Sequence, residues 1–348
     1  MLASLRLQHF RSYTDDSFEF DDGVNIIVGP NASGKTNLLE AVLVIARGSS
    51  YRVKDSELVQ FKKPWSRLDS RLVSGAERTV KIQQEPQASK SYKFDGKEYK
   101  RLPFNHTVPV VLFEPNHLLL LSGGPERRRD YLDDLLEQTV VGYTQLRRQY
   151  RRTLAQRNAL LKQPGQIELF PWDVRLSQLA GQIVRHRSEL VTTIQKRLPK
   201  LYRELSKTKL VVSVEYGSEW PPANYESGLL KSLERLVDVD RVRGFTGHGP
   251  HREDLVVTLN GRPAAEVASR GEVRTLVLGL KIIELELLAA AREETPLLLL
   301  DDVFSELDGA RRKALTEHLA TYQTFITTTD ADIILHHFTD TCRVIALT

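Results

Sequence analysis

The chain has 348 residues, which is enough for one large domain or two modest ones. Hydrophobic residues make up 41% of it and charged residues 27%, ordinary values for a globular protein. A single cysteine, Cys342, excludes a disulfide framework and a cysteine-based zinc module. The N-terminal residues carry charges where a signal peptide would be apolar, and no apolar run reaches about 18 residues. We therefore expect a cytoplasmic protein with no membrane span.

Positive charge is concentrated in one segment. The net charge is +4, but residues 126–207 hold 17 Lys and Arg against 9 Asp and Glu, a net of +8 that leaves the remainder at −4. Such a segment is typical of proteins that bind a phosphate backbone. An arginine-rich helix surface that is merely solvated would give the same pattern, and charge alone does not separate the two.

The first 113 residues are predicted to be mostly β-structure with one strong helix. Residues 2–7 and 24–28 form short apolar runs typical of strands. Residues 35–46 carry apolar side chains at helical spacing. Several short β-like runs follow over residues 66–113, separated by Gly, Pro and Asp, and they indicate an antiparallel, sheet-rich lobe.

A phosphate-binding loop joins the strand at 24–28 to that helix. Its residues, Gly29-Pro30-Asn31-Ala32-Ser33-Gly34-Lys35-Thr36, fit G-x-x-x-x-G-K-[ST] at every fixed position, and Asn37 follows. The glycines let backbone N–H groups point at phosphate oxygens, and the helix N-terminus favours an anion. Lys35 can reach the β- and γ-phosphates, and the Thr36 hydroxyl can ligate Mg²⁺. The loop predicts a site for ATP and magnesium in which Lys35 has a catalytic role.

Residues 125 to about 205 change to helical character. Two stretches of about 35 residues, each roughly 50 Å as ideal helix, flank a breaker at Gln163-Pro164-Gly165. Matched lengths and a short connection predict an antiparallel helical hairpin. Five arginines crowd its first arm: Arg147, Arg148, Arg151, Arg152 and Arg157. They could neutralise DNA phosphates, or some could pair with the hairpin's own acids.

Strands and helices alternate after the hairpin. Strands are predicted over 210–216, 255–259 and 297–300 and around Phe325 and Val344, with helices over 271–292 and near 311–319. This alternation indicates a parallel α/β core.

One of these strands ends in two carboxylates, because Asp301 and Asp302 follow the apolar run 297–300. Ligands of doubly wound sheets lie beyond the carboxyl ends of the strands. Asp301 could hold Mg²⁺, and Asp302 could polarise the attacking water as a general base. Alone, the pattern is also typical of a strand that ends in a turn, but together with a phosphate loop it favours the second half of a nucleotide site.

Three further segments resemble parts of ABC-type ATPases. Ser269-Arg270-Gly271-Glu272 opens a long helix, as the signature motif does, and Ser305-Glu306-Leu307-Asp308 follows the acidic strand at the spacing of the D-loop. Leu7 to Tyr13 resembles the N-terminal strand and loop of SMC-like heads. This resemblance implies that Arg11 and Ser12 contact nucleotide, and that Ser269, Gly271 and Asp308 do so as well.

Within that superfamily the whole chain resembles the bacterial RecF family. The segments Gly123–Asp133 and Thr246–Leu255 resemble stretches characteristic of it. The resemblance implies an α/β fold: an ABC-type ATPase head, with a mixed sheet lobe and a parallel α/β core, that carries an inserted antiparallel helical hairpin. The implied domains are residues 1–124 and 208–348 for the two parts of the head, and 125–207 for the basic hairpin.

The resemblance also implies a function in recombinational DNA repair, replication restart and the SOS response. ATP would drive two subunits into a homodimer, with Ser269 and Gly271 of one subunit closing the site of the other. The implied partners are double-stranded DNA, single-strand/duplex junctions at gaps, and RecR- and RecO-type mediator proteins that help load recombinase.

Departures from the ABC pattern predict slow hydrolysis. Asp302 is one methylene shorter than the glutamate usual at that position, and Thr329 stands where transporters often have a histidine. The signature also has Glu272 in place of glutamine. We expect a weak ATPase in which ATP times assembly.

Other functions compete with this one. An ABC-type ATPase subunit driving a transport or structural partner is the main alternative, and the basic hairpin argues against it. Intact Lys35, Thr36 and Asp301 argue against an inactive relative. His248 and His251 could suggest a metal, but no third ligand of fitting spacing is visible, so a structural loop is favoured.

Overall fold

The computed structural model describes residues 1–165, 168–304, 307–319, 321–329 and 342–348. The chain forms two compact units. The first combines Met1–His117 with Glu284–Thr348, and the second is Leu118–Ile283. Both ends of the chain therefore build the first unit.

An antiparallel sheet forms one part of the first unit. Its strands are β1 (Leu2–Phe10), β2 (Tyr13–Glu19), β4 (Trp65–Leu72), β5 (Glu77–Gln83), β6 (Ser89–Phe94) and β7 (Lys97–Tyr99), in the order β2-β1-β4-β5-β6-β7. In β1, Leu5 and Leu7 are buried and Arg6 is exposed, so one face packs into the core. This is the sheet-rich lobe expected from the sequence.

A parallel sheet forms the other part of the first unit. Its strands are β3 (Val24–Val28), β8 (Val110–Phe113), β12 (Leu297–Asp301), β13 (Thr324–Thr328) and β14 (Cys342–Ala346), in the order β14-β3-β13-β12-β8. Every residue of β12 and β13 is buried, as expected of strands covered on both faces. Asp301 pairs with Thr327, and Thr328 pairs with Val28, so β3, β12 and β13 end at one edge of the sheet.

Helices of the first unit include α1 (Lys35–Arg47), α2 (Asp55–Leu58) and α10 (Gly309–Leu319). α1 is buried on nearly all sides, which explains its continuous apolar run from Ala41 to Ala46. It ends where Gly48 adopts a left-handed conformation and its N–H bonds to the Val44 carbonyl at 2.8 Å.

The second unit is mainly helical. Its helices are α3 (Pro125–Thr139), α4 (Tyr143–Leu161), α5 (Phe170–Ser206), α6 (Tyr225–Arg235), α7 (Val237–Arg243), α8 (Ala264–Val267) and α9 (Arg270–Ala291), the last of which contributes residues to both units. α4 packs along α5 as the two arms of a hairpin. The expectation of one continuous first arm was wrong: Gly142, with a φ of 86°, separates α3 from α4 because a left-handed residue interrupts a right-handed helix.

A small antiparallel sheet completes the second unit. Its strands are β9 (Val212–Gly217), β10 (Asp254–Leu259) and β11 (Arg262–Pro263), in the order β11-β10-β9. β9 is tied to α5, since the Val214 N–H donates to Gln195 Oε1 at 2.6 Å. Tyr225 and Leu229 of α6 share a core cluster with Leu176 and Ile183 of α5. The compact unit therefore continues to Ile283, beyond the expected hairpin boundary at residue 207.

The α/β class expected from the sequence is confirmed by the antiparallel lobe, the parallel sheet and the helical hairpin. In the part of the chain that the structure describes, no helix combines the length and apolar character needed to cross a membrane.

Candidate nucleotide-binding site

The phosphate loop runs from the end of β3 to the start of α1. Gly34 has a φ of 98°, and a Cβ there would lie 2.9 Å from the Tyr13 hydroxyl. That hydroxyl donates a hydrogen bond to the Gly34 carbonyl at 3.0 Å. Ala32 also has a positive φ, 69°. The backbone therefore curls in the way that lets successive N–H groups face an anion.

The Lys35 side chain lies within the phosphate loop. Its ammonium donates to the carbonyl oxygens of Gly29 at 2.7 Å and Pro30 at 2.8 Å, and the residue is 9% exposed. From this position the ammonium can reach phosphate oxygens held by the loop. The structure thus places together the residues expected to bind phosphate: Gly29, Pro30, Asn31, Ala32, Ser33, Gly34, Lys35, Thr36 and Asn37.

Thr36 and Asp301 meet although they come from opposite ends of the chain. The Thr36 hydroxyl donates to Asp301 Oδ1 at 3.0 Å, and the Thr327 hydroxyl donates to the same oxygen at 2.8 Å. Mg²⁺ prefers oxygen ligands and is usually held by one or two protein groups together with phosphates and water. A hydroxyl and a buried carboxylate beside a phosphate loop therefore fit magnesium.

Tyr51 is a neighbour of this carboxylate that sequence reasoning missed. Its hydroxyl donates to Asp301 Oδ2 at 3.3 Å. Burial, together with the negative charges of Asp301 and Glu114, raises the pKa of Tyr51 well above its usual value. The phenol therefore stays protonated and acts as a donor. No motif marks this tyrosine, whereas Thr327 could have been expected because it lies near the end of β13, opposite Asp301.

Asp302 lies at the point where the chain leaves β12. It has a φ of 52°, its side chain is exposed, and its N–H donates to the Thr327 hydroxyl at 2.9 Å. Positive φ is uncommon outside glycine, and Asp is among the residues that tolerate it best. Asp302 is thus exposed where the chain leaves the sheet, while Asp301 is buried beside Thr36.

Arg11 and Ser12 lie beside the first turn of α1. Arg11 Nε donates to Oε2 of the fully buried Glu40 at 2.7 Å. Ser12 Oγ accepts a hydrogen bond from Asn37 Nδ2 at 3.0 Å. An open cleft of about 620 Å³ borders these residues and the exposed ring of Phe61. They are placed next to the phosphate loop, with Arg11 anchored to α1 by its ion pair.

Ser269 and Glu272 form a reciprocal cap at the N-terminus of α9. The Ser269 N–H donates to Glu272 Oε2 at 2.7 Å, and the Glu272 N–H donates to Ser269 Oγ at 3.3 Å. The Gly271 carbonyl accepts the Thr275 hydroxyl at 2.9 Å. Glu272 therefore has a structural role that glutamine could also fill, and Ser269 remains exposed.

Asp308 caps α10, because its Oδ1 accepts the Arg311 N–H at 3.0 Å and its other oxygen pairs with the Arg311 guanidinium. Ser305 and Glu306, the first two residues of the expected D-loop, lie outside the described residues. Thr329, at the expected switch position, is exposed just after β13.

The five hairpin arginines divide into two groups. Arg157 is fully buried and pairs with Asp173 at 2.5 Å and Asp240 at 2.7 Å. Arg147 contacts three acids, Asp130, Asp133 and Glu137. The possibility that some of these arginines pair with the hairpin's own acids is confirmed for Arg147 and Arg157. The exposed ones are Arg148, Arg151 and Arg152.

The two segments that suggested the family, 123–133 and 246–255, lie against each other. Both Asp254 oxygens accept bonds from Arg128, at 2.8 and 2.7 Å. Arg187 bonds both oxygens of Asp133, at 2.9 and 3.0 Å, and the Pro250 carbonyl at 2.7 Å. Burial opposes ionisation of Asp133, but the arginines outweigh it and hold its pKa below the usual value. These ion pairs and hydrogen bonds join the two segments within the second unit.

The histidines of this region have structural roles. His251 Nδ1 lies 2.6 Å from the Tyr150 hydroxyl, and burial lowers the pKa of His251 to about 4, so the ring is neutral. His248 lies 3.1 Å from a Glu219 oxygen. Among the described residues, no group of three or more His, Cys, Asp or Glu could hold a metal.

Comparison with known proteins decides the family. The sequence-family model of the RecF/RecN/SMC N terminal domain matches residues 1–346 of this chain. A protein of Heliobacterium modesticaldum named DNA replication and repair protein RecF is 34% identical over 342 residues, which cover 94% of this chain and 92% of the relative. The chain belongs to the RecF family. A RecF of Halalkalibacterium halodurans is 35% identical over 361 residues, covering 96% of this chain and 94% of the relative.

Solved structures agree with the family assignment. RecF bound to ATP, described as the recombination mediator of the RecFOR pathway, superposes with a TM-score of 0.86 at 31% identity, covering 99% of this chain and 95% of that one. An SMC head bound to a winged-helix domain of ScpA has a TM-score of 0.55 at 15% identity, covering 97% of this chain and 91% of that one, which shows the shared fold alone. The RecF fold is thus an SMC-like, ABC-type ATPase head.

Proposed function

We propose that this protein is an ATP-dependent DNA replication and repair protein of the RecF type. The observation that carries the proposal is the 3.0 Å contact of Thr36 with Asp301, next to the ammonium of Lys35. The names of its relatives support a role in DNA replication and repair, and a solved RecF with ATP supports this nucleotide.

ATP binds along the phosphate loop and the start of α1. Backbone N–H groups of the loop and the Lys35 ammonium hold the β- and γ-phosphates, and Thr36 and Asp301 would hold the magnesium ion. Magnesium bound there would neutralise charge on the phosphates. Asp302, exposed directly after β12, orients and deprotonates the attacking water. Arg11, Ser12 and Asn37 border the nucleotide from the side of β1.

Two subunits close the sites together. In ABC-type dimers the signature serine meets the γ-phosphate held by the other subunit, and here Ser269 and Gly271 have that role. Asp308 also contacts the nucleotide. The N-terminus of α9 favours the anion. ATP bound more tightly by the dimer than by the monomer drives dimerisation, and hydrolysis releases it. Slow hydrolysis makes ATP a timer for assembly.

The DNA substrates are duplex and single-strand/duplex junctions at gaps. Arg148, Arg151 and Arg152 are exposed on α4 and supply cations that contact phosphates without reading sequence. The RecFOR pathway named for a solved relative supports RecO- and RecR-type partners and recombinase loading. A cytoplasmic location and a part in the SOS response also remain predictions.

A titration with DNA, with and without ATP, tests the proposal. Gapped, single-stranded and blunt duplex DNA of matched length are compared, and ATPase rates are recorded with each DNA and with lipid vesicles. The proposal predicts ATP-dependent retention on gapped DNA and stimulation of hydrolysis by DNA. Stimulation by vesicles alone would favour the alternative, an ABC-type ATPase subunit that drives another partner.

A further inference from the structure

An exposed aromatic side chain lies next to the hairpin in the second unit. Phe245 follows α7 and is 40% exposed, and three residues earlier Val242 is 91% exposed. The Arg252 guanidinium lies over the Phe245 ring, 4.8 Å from its centroid.

Hydrogen bonds fix this aromatic group along α4. The Thr246 N–H and hydroxyl donate to Asn158 Oδ1 at 2.8 and 2.7 Å. Further along, His251 Nδ1 lies 2.6 Å from the Tyr150 hydroxyl. The segment between these contacts therefore runs along α4 in the opposite direction to the helix, and Phe245 lies beside the C-terminal half of α4.

Exposed cations follow the same stretch of α4. The basic strip, as we call it, consists of Phe245 and the cations Arg148, Arg151, Arg152, Lys162, Arg243 and Arg252. Lys162 lies near the aromatic end, since its Cε is 3.4 Å from the point where a Cβ on Gly244 would stand. Three exposed acids accompany the cations: Asp130, 3.9 Å from Arg151, Glu126, which lines one cleft with both, and Asp238 on α7. The cations outnumber them, so the strip is positive.

We propose that the basic strip binds the single-stranded part of a DNA substrate, with phosphates along the cations and a base stacked on Phe245. Proteins that bind single strands combine a positive track with aromatic rings on which bases stack. From Arg148 to Lys162 the helix extends about 21 Å, which suits the smallest footprints of roughly four nucleotides. The Arg252 guanidinium over the Phe245 ring adds a cation–π interaction to this binding site.

This inference rests on the proposed function and adds to it the surface that holds the single strand of a junction. Duplex DNA keeps its bases stacked inside the helix, so it can use the cations of the strip but not the ring. The contribution of Phe245 is therefore specific to single strands, whereas that of Lys162 or Arg243 is shared by both DNA forms.

The test compares full-length variants by titrating labelled single-stranded DNA and blunt duplex of equal length. Phe245→Leu keeps an apolar side chain but removes the flat ring, and we expect roughly tenfold weaker single-strand binding with duplex binding unchanged. Tyr99→Leu is the matched control, because Tyr99 also has a cation near its ring, the Lys97 ammonium 5.6 Å from the centroid, but lies on β7 in the first unit. This control should change neither the affinity for single-stranded DNA nor the affinity for duplex DNA.

A salt series adds an independent readout. Lys162→Gln should reduce the salt slope of single-strand binding by about 0.7, as expected for one phosphate contact. Unchanged single-strand binding in Phe245→Leu would overturn the inference and assign the ring to a protein partner, and an equal loss for duplex would overturn it too. If the unmodified chain binds duplex but not single strands, only this inference fails. If it binds no DNA with ATP, the proposed function fails first.

Discussion

The Thr36 hydroxyl and the Asp301 carboxylate lie 3.0 Å apart although 265 positions separate them in the chain. The parallel sheet explains the meeting, because β3 leads into the phosphate loop, β12 ends at Asp301, and β13 lies between these strands. Parallel strands bring their carboxyl ends to one edge. The nucleotide site therefore forms only when both ends of the chain are folded together.

Lys35→Ala should abolish ATP binding at concentrations that saturate the unmodified chain. The substitution removes the ammonium that meets the phosphates, and no other cationic side chain belongs to the loop sequence from Gly29 to Thr36. Isothermal calorimetry measures the loss. Lys81→Ala, at an exposed position of β5, is the control and should bind ATP normally. Equal ATP affinity in both variants would show that Lys35 does not bind the phosphates.

Tyr51→Phe should weaken the effect of magnesium without changing ATP binding in its absence. The phenol donates to Asp301 Oδ2, so its loss frees the carboxylate to turn away from the metal position. We expect about tenfold more Mg²⁺ to be needed for half-maximal ATP binding. Tyr92→Phe removes another buried hydroxyl, which bonds to the Gly48 carbonyl at 3.1 Å, and serves as the control. A similar shift in both variants would mean a general loss of packing.

Ser269→Arg should leave ATP binding intact but prevent the ATP-dependent dimer. The larger, charged side chain blocks the surface that approaches the other subunit's phosphate, while the phosphate loop is untouched. Size measurement by light scattering with a non-hydrolysable analogue checks this. Glu272→Gln should still dimerise, because glutamine also closes the capping box. A normal dimer in Ser269→Arg contradicts the proposed closure in trans.

Arg157→Met should destabilise the second unit by about 3–5 kcal/mol, because it leaves the buried carboxylates of Asp173 and Asp240 without their partner. Arg152→Met, on the exposed face of α4, should change stability by less than about 0.5 kcal/mol. Urea denaturation measures both. In the DNA titration, Arg152→Met is expected to bind DNA more weakly although its stability is almost unchanged. Equal destabilisation of the two variants would refute this division of the arginines.

Local patterns predicted the elements that position the site. The strand expected at 24–28 is observed as Val24–Val28, because an apolar run bounded by a glycine loop has few alternatives. The run 297–300 became a buried strand because four consecutive leucines suit a parallel strand covered on both faces. The phosphate loop followed from its glycines and Lys35.

Long-range pairing set the limit of prediction. Arg157 looks like its neighbours in the sequence, and only folding brings Asp173 and Asp240 to it from other helices. Tyr51 reaches Asp301 across 250 positions, with no motif to indicate it. The break between α3 and α4 lies at Gly142, which is visible in the sequence. A single glycine is also tolerated inside a helix, so this residue alone did not predict the break.

The magnesium dependence of ATP binding in Asp301→Asn is the most direct test of the shared site. The amide keeps the shape of the side chain but loses the charge that would hold the ion. We predict that the variant binds ATP without magnesium as the unmodified chain does, and that adding magnesium no longer tightens binding. Full tightening by magnesium in Asp301→Asn would contradict the account.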